Sequence, residues 1–229
     1  MTTKDIIKIT VNLVVIYLLG GLLIAFVYAK TSPIMFIKAK EEKEAALRTM
    51  MPEAQHIAKL GDWEPHEKHA EYYAAQECGE LRVTTVKDEK TGKTKEQKEC
   101  IDARAIGYIV EGFGKGYSSY INVLASVDKN FTVQKVSVLH HAETPGLGDE
   151  IEKEYFLKRF AGKSADNLVV IKGETQDKVE AISGATISSR AVTEDGVKNG
   201  VKMLKEKLSD AGEEKKEDTG KEHDHGPHS

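Results

Sequence analysis

Ser183-Gly184-Ala185-Thr186 is a run of small residues carrying two hydroxyls, set ahead of a long helical pattern. Apolar residues recur at Ile187, Val192, Val197, Val201, Leu204 and Leu208, which predicts a helix to Leu208 with Ser183 as its N-cap. A helix start aims unpaired backbone N–H groups, and the positive end of the helix dipole, at whatever lies over it. That suits a phosphate or another anion. A threonine hydroxyl in the same turn is close enough to be esterified to the phosphate, which marks Thr186 as the attachment point of a cofactor. The bland alternative is a helix cap and nothing more.

A second cluster is His140-His141-Ala142-Glu143-Thr144-Pro145-Gly146-Leu147-Gly148. Thr-Pro-Gly suits a type II turn, with proline second and glycine third. Histidines and a glutamate beside such a turn read either as acid–base or metal-binding machinery or as a tight corner with polar ends. Ser183 as a nucleophile with His140 or His141 as base would make a hydrolase, but no Gly-x-Ser-x-Gly elbow is present. Gly112-Phe113-Gly114-Lys115-Gly116 lacks the following helix that a phosphate loop needs, so it reads as a glycine-rich hairpin. Cys78 and Cys100 are the two cysteines. On an oxidising side of a membrane they would close a disulfide loop worth roughly 3 kcal/mol; in the cytoplasm they would be free thiols. His66 and His69 read as surface residues. His223-Asp224-His225 with His228 is either a metal scavenger or part of a solvated tail.

The elements that position these residues follow from the apolar pattern. After a short N-terminal segment, 1–8, the stretch 9–29 carries no charge and at 1.5 Å per residue spans roughly 30 Å, a bilayer's hydrocarbon thickness. A cleavable signal core is usually about 7–15 residues long, so the length favours a transmembrane anchor. Lysines stand on both sides of it, and composition leaves the orientation open. Residues 30–62 read as a membrane-proximal helix, stopped by Pro52. Residues 63–102 read as a polar insertion or exposed hairpin holding both cysteines. Three strands follow at Ile106–Glu111, Tyr117–Val127 and Phe131–Leu139, an antiparallel meander. A helix is expected over Asp149–Phe160, with Ile151, Tyr155 and Phe156 inward and Gly162 as its stop. Short strands are expected at Leu168–Ile171 and Lys178–Ile182. The fold class is α+β: an N-terminal transmembrane helix, then a mostly antiparallel sheet domain with packed helices over 103–208. Residues 209–229 read as a disordered acidic, histidine-bearing tail.

Net charge is −4, from 37 acidic and 33 basic side chains. The last 21 residues hold seven acidic and three basic groups, so the rest of the chain balances. With no basic stripe, nucleic acid is not an expected partner. The chain has no dinucleotide fingerprint and no iron–sulfur cysteine set.

Two motifs together carry a family resemblance. Ser183-Gly184-Ala185-Thr186 with Ser188 and Ser189 is similar to the flavinylation signature of FMN-binding domains, and Glu143–Gly148 is similar to their second signature. With the N-terminal anchor, the chain resembles the G subunits of Rnf-type ion-translocating electron-transport complexes. The alternatives are a protein like the C subunits of the sodium-translocating NADH:quinone reductases, a stand-alone FMN-binding redox protein, or a structural adaptor. The resemblance implies covalent FMN, linked by a phosphoester to Thr186 by a flavin transferase. It implies that Ser183, Gly184, Ala185, Glu143, Thr144, Gly146, Leu147 and Gly148 line the cofactor site, and that no catalytic or metal-ligating residue is needed beyond the flavin. His140, His141 and Glu143 are candidates for tuning the flavin's potential. The resemblance further implies a redox component of an ion-translocating ferredoxin:NAD oxidoreductase, incomplete as a catalyst by itself. Its expected partners are the other membrane and peripheral subunits and the lipid bilayer, with the soluble domain on the extracytoplasmic side of the cytoplasmic membrane. Where the flavinylation signature usually has aspartate three residues before its serine, this chain has Glu180.

Overall fold

The computed structural model describes residues 3–87 and 94–218, in two units, Met1–Ala45 and Ala46–Ser229. The first unit lies within α1 (Thr3–Met50), and among the described residues α1 alone is long and apolar enough to cross a membrane. Its apolar side chains from Ile6 to Ile37 are exposed, as a lipid-facing helix requires. The helix runs unbroken through Pro33, for about 72 Å at 1.5 Å per residue. Of the membrane-proximal helix expected over 30–62, residues 30–50 are helical, and 56–62 are strand instead. The same helix carries on from the span and stops at Met50, because Pro52 disfavours helical backbone at Met51.

In the second unit a five-stranded antiparallel sheet has the order β1-β2-β5-β6-β7. These strands are β1 (His56–Trp63), β2 (Ala70–Glu77), β5 (Arg104–Lys115), β6 (Tyr120–Asp128) and β7 (Val133–His140). The predicted meander is β5-β6-β7. The expected domain start at 103 is corrected: β1 and β2 belong to the same sheet, and Ala70, Ala74 and Ala75 of β2 are buried. The charged residues around them concealed this, since β2 is buried mainly through small alanines and carries no long apolar run. Of the expected insertion, only β3 (Glu80–Lys87) and β4 (Thr94–Ile101) stand apart, as a two-stranded sheet. Its base is closed by a Cys78–Cys100 disulfide with Cα atoms 5.3 Å apart. The turn expected at Lys90–Lys93 lies outside the described residues.

Strand pleating sends alternate residues to two cores. One face of the sheet, with Ile109, Leu124 and Tyr73, packs on Leu47, Met50 and Met51. The other, with Val110, Ile121 and Val123, packs on the helices. There α3 (Thr186–Arg190), a π-helical stretch (Ala191–Lys198) and α4 (Asn199–Asp218) follow one another as continuous helix. Val192, Val197, Val201 and Leu204 are buried; Ile187 is exposed. The five-residue step from Val192 to Val197 is the π-helical repeat in the sequence. Helical backbone continues ten residues past the expected end at Leu208, through a segment rich in the strong helix formers Ala, Glu and Lys. Residues 219–229, including the tail histidines, lie outside the described residues.

Gly112 and Gly114 do not end β5; they let the π segment sit on it. A Cβ on Gly112 would fall 2.4 Å from the Gly196 carbonyl oxygen, and one on Gly114 would fall 1.8 Å from that of Ala191. The chain turns instead at Gly116, whose N–H donates to the Ser119 carbonyl at 2.9 Å. The helix expected over 149–160 is three short pieces: a 3-10 turn (Gly148–Glu152), α2 (Glu154–Leu157) and a second 3-10 turn (Lys158–Phe160). Ile151 and Phe156 are buried as expected, whereas Tyr155 is exposed, and Gly162 stops the run at φ +76°. The short strands are β8 (Val170–Ile171) and β9 (Val179–Glu180), paired in parallel just before the Ser183 turn.

Candidate functional site

Two tight turns face each other across a cleft. In the first, Leu147 N–H donates to the Thr144 carbonyl at 3.2 Å and Gly146 has φ +73°, which matches the expected type II turn. In the second, Ala185 N–H donates to the Ile182 carbonyl at 3.0 Å and Gly184 has φ +79°. Gly184 suits this position because it lacks a side chain: the backbone is left-handed, and the Leu147 side chain sits 3.3 Å from where a Cβ would be.

Ser183 is not the helix cap. It belongs to the turn and is exposed, while Ala185 occupies the N-cap position with no side-chain hydrogen bond. No side chain caps this helix, and the two buried serines within it brace the turn instead. Ser189 Oγ accepts from Ile182 N–H at 3.0 Å and donates to the Ala185 carbonyl at 2.9 Å, tying both ends of the turn together. Ser188 Oγ donates to the Glu143 carboxylate. The first hydrogen bond of α3 runs from Ser189 N–H to the Ala185 carbonyl, so the amides of Thr186, Ile187 and Ser188 precede the helical ladder. Thr186 is half-buried, and its hydroxyl has no partner among the described residues. Of the three hydroxyls in this turn of helix, two brace the fold and one is left over.

The cleft has a volume of about 920 Å3 and draws its walls from both turns, with Tyr117, Lys172, Glu180 and Ile187 joining them. Seven of the eight turn residues expected at the site line it together with Thr186; the eighth, Gly146, is not in the wall but supplies the positive φ of the turn that presents Leu147. Tyr117, Leu147 and Ile187 are 73%, 48% and 53% exposed, large apolar surfaces left open on one concave face. Such a volume lies within the roughly 300–1,000 Å3 usual for small-molecule sites. Tyr117 and Lys172 were missed in the sequence, because neither belongs to a motif and each reaches the cleft from a turn whose position only the fold reveals.

The charged groups are sorted by their partners. Glu143 is buried, and four donors reach its carboxylate: Ser118 N–H at 3.0 Å and Ser119 N–H at 3.4 Å on Oε1, Tyr117 N–H at 3.1 Å and the Ser188 hydroxyl on Oε2. Burial by itself would raise its pKa; the Ser188 hydroxyl and the three backbone N–H groups outweigh that and hold the carboxyl below the ordinary carboxylate value. Glu180 accepts from Arg159, whose Nη2 lies 3.3 Å from Oε2 and whose Nη1 donates to the Glu180 carbonyl at 2.6 Å. Lys172 is exposed at the cleft.

His140 and His141 are not among the cleft-lining residues. His141 Nδ1 accepts from Glu143 N–H at 3.0 Å, and its Nε2 lies 2.8 Å from Glu152. With both ring nitrogens engaged, it is placed as a support of the loop and offers no free base to Ser183. Outside the cleft lining, ligand atoms of Asp62, His69 and Glu71 lie within 4.8 Å of one another, but the Lys59 ammonium already sits at 2.7 Å from Asp62 and 2.6 Å from Glu71.

The chemistry of this arrangement fits FMN. A flat apolar ring has Tyr117, Leu147 and Ile187 to lie against, and a phosphate has the unpaired amides and hydroxyl at the start of α3.

Comparison with known proteins agrees. The model of the FMN-binding domain family matches residues 116–202. The G subunit of the proton-translocating ferredoxin:NAD(+) oxidoreductase complex of Clostridium ljungdahlii is 33% identical, over 88% of this chain and 92% of its own. The G subunit of the ion-translocating oxidoreductase complex of Methanosarcina acetivorans is 29% identical, over 84% of this chain and 91% of its own. A solved structure of the C subunit of the Na(+)-translocating NADH-quinone reductase from Parabacteroides distasonis covers 72% of this chain and 92% of its own, at 24% identity and a TM-score of 0.46. With a third of its residues shared along nearly the whole length of a G subunit, an FMN-binding domain and one apolar N-terminal helix, the chain is a membrane-anchored member of the G-subunit family of Rnf-type ion-translocating oxidoreductase complexes.

Proposed function

We propose that this protein carries FMN as a phosphoester of Thr186 and relays electrons within an Rnf-type complex that couples ferredoxin:NAD oxidoreduction to ion movement. The observation that carries the reading is the unpartnered Thr186 hydroxyl at the head of α3, beside three amides outside the helical ladder and inside an apolar-walled cleft. In the attachment step a flavin transferase supplies FAD. The Thr186 Oγ–P bond forms, the pyrophosphate bond of FAD breaks, AMP leaves, and the hydroxyl proton is released. The amides of Thr186, Ile187 and Ser188 would hold the phosphate, whose charge the helix dipole would favour.

When bound, FMN supplies one- and two-electron transfer. The chain's own part is to hold it. Tyr117, Leu147 and Ile187 would hold the ring and shield it from water. Ser183 and Gly184 let backbone approach closely, and Thr144, Gly146 and Gly148 shape the opposite wall. Lys172 places a positive charge where the ligand is anionic. A covalent tether suits a relay, since a carrier that loses its flavin breaks the circuit. The protein completes no catalytic cycle unaided; its electron donor and acceptor are other subunits.

Residues 9–29 form the membrane span, and the domain that carries the cleft lies on the extracytoplasmic side. The Cys78–Cys100 bridge supports that side, because disulfides persist in oxidising compartments.

The test is co-expression with a flavin transferase. The denatured protein is expected to fluoresce on a gel, and the peptide containing Thr186 is expected to gain the mass of FMN less water. Thr186→Ala should lose both signals. A colourless wild type under these conditions would overturn the assignment.

A further inference from the structure

Glu143 heads the second FMN-domain signature, yet its carboxylate has no hydrogen-bonding capacity to spare. Each oxygen already accepts two hydrogen bonds, and those four donors come from two other segments of the cleft. Three are the successive amides of Tyr117, Ser118 and Ser119 in the β5–β6 turn, and the fourth is the Ser188 hydroxyl, two residues from Thr186. Neighbouring glycines leave space for the carboxylate. A Cβ on Gly116 would lie 2.4 Å from Glu143 Oε1, and a Cβ on Gly148 would lie 2.9 Å from Oε2 and 3.0 Å from Ser188 Oγ. A buried carboxylate with four donors is a fixed joint, since any displacement leaves a charge unsatisfied away from water.

We propose that Glu143 is a positioning residue: through its four hydrogen bonds its carboxylate locks the Tyr117 turn, the Thr144–Gly148 turn and the start of α3 into the one arrangement in which Thr186 can receive the flavin. This inference rests on the Thr186 assignment above. Glu143 is itself one of the residues that line the cleft, and the inference gives it a second role, holding three segments of that lining together. The ring-covering Tyr117 and the phosphoryl acceptor Thr186 are set relative to each other by a side chain between them. The link to Ser188 transmits this to Thr186 through half a helical turn, the stiffest connection available.

The test compares wild type with Glu143→Gln, Ser188→Ala and their combination. Ile109→Val and Leu124→Ala, truncations in the core on the far face of the sheet, serve as stability controls. Three readouts are taken on the full chain in detergent: the thermal midpoint, hydrogen exchange of the Tyr117–Ser119 amides, and the rate at which a flavin transferase loads Thr186. Glutamine keeps the size but turns a donor toward donors. Glu143→Gln should therefore speed exchange of those three amides at least tenfold and slow loading at least tenfold. Ser188→Ala should slow loading with the three amides still protected, and the double variant should be no slower than Glu143→Gln. The far-face controls should load at the wild-type rate however much they lower the midpoint. Loading within twofold of wild type in Glu143→Gln overturns the proposal, as does loading that follows the thermal midpoint across all variants. If Glu143→Gln does not fold, Ser188→Ala decides alone: wild-type loading refutes the lock. A wild type that never takes up flavin sinks the Thr186 assignment instead, and the amide exchange of the variants still reports whether the joint exists.

Discussion

At the scale of single residues, the site is built by hydroxyls and amides that look alike in sequence and differ entirely in their partners. Ser183, Thr186, Ser188 and Ser189 lie within seven positions, and the fold assigns Ser188 to Glu143, Ser189 to the turn backbone and none to Thr186. Glu143 shows the energetic consequence. Burial pushes its carboxyl upward, the four donors pull harder the other way, and it titrates below the ordinary 4.5. A carboxyl whose pKa is lower in the folded state stabilises that state fully above the unfolded pKa and loses the contribution as pH falls through the folded one. The thermal midpoint of wild type should therefore exceed that of Glu143→Gln by a constant margin above about pH 6, and the margin should shrink once pH drops below about 4.5. Melting both proteins across that range checks it, and a margin that persists undiminished at about pH 2 would contradict it.

At the scale of elements, helix and sheet approach so closely that backbone meets backbone. The 1.8 Å that a Cβ on Gly114 would leave to the Ala191 carbonyl oxygen cannot be relieved by rotating a side chain. Gly114→Ala should cost at least about 1–3 kcal/mol, and at roughly 2–4 °C per kcal/mol for a domain of this size calorimetry would resolve it. A midpoint unchanged in Gly114→Ala would mean that the π segment does not press on β5. The same contact explains what the sequence concealed. Glycines at 112 and 114 signal a strand break when read locally, and only the helix lying across them turns the signal into a packing requirement. The β5-β6-β7 meander was legible, because Ile121, Val123, Ala125 and Val127 alternate with period two. So was the type II turn at Thr144–Leu147, because proline and glycine constrain backbone by themselves. The π segment was not read from the sequence, where Val192 and Val197 passed as part of one ordinary helical pattern. The Ser183 cap was misread because Ser183 belongs to the preceding turn, so that Ala185 stands at the N-cap and no side chain covers the helix start.

At the scale of the whole molecule, the N-terminal helix performs two jobs along its length, and composition separates them poorly. Its first part is apolar all round and exposed, the pattern of a membrane span. Its last turn and the Met51 that follows belong to the domain: Leu47, Met50 and Met51 are 7%, 2% and 4% exposed, and the Thr49 carbonyl accepts from Lys135 at 2.9 Å. Met51 also fills the space left by Gly107, where a Cβ would come within 2.5 Å of its methyl carbon. The physical domain thus starts near Ala46, not at the first strand and not at residue 103, where lysine-rich sequence gives way to an apolar run. A chain starting at Ala46 should be soluble without detergent and should load flavin like the full protein. A chain starting at Pro52 keeps every strand but loses three buried side chains. Removing a buried leucine or methionine typically costs about 2–5 kcal/mol, so the combined loss is on the order of the 5–15 kcal/mol that holds a domain together. Far-UV circular dichroism and urea titration of the two truncations distinguish the outcomes. Equal midpoints would show that the last turn of α1 is only a tether, whereas an unfolded or strongly destabilised shorter chain would show that the membrane helix ends as part of the flavin domain's core.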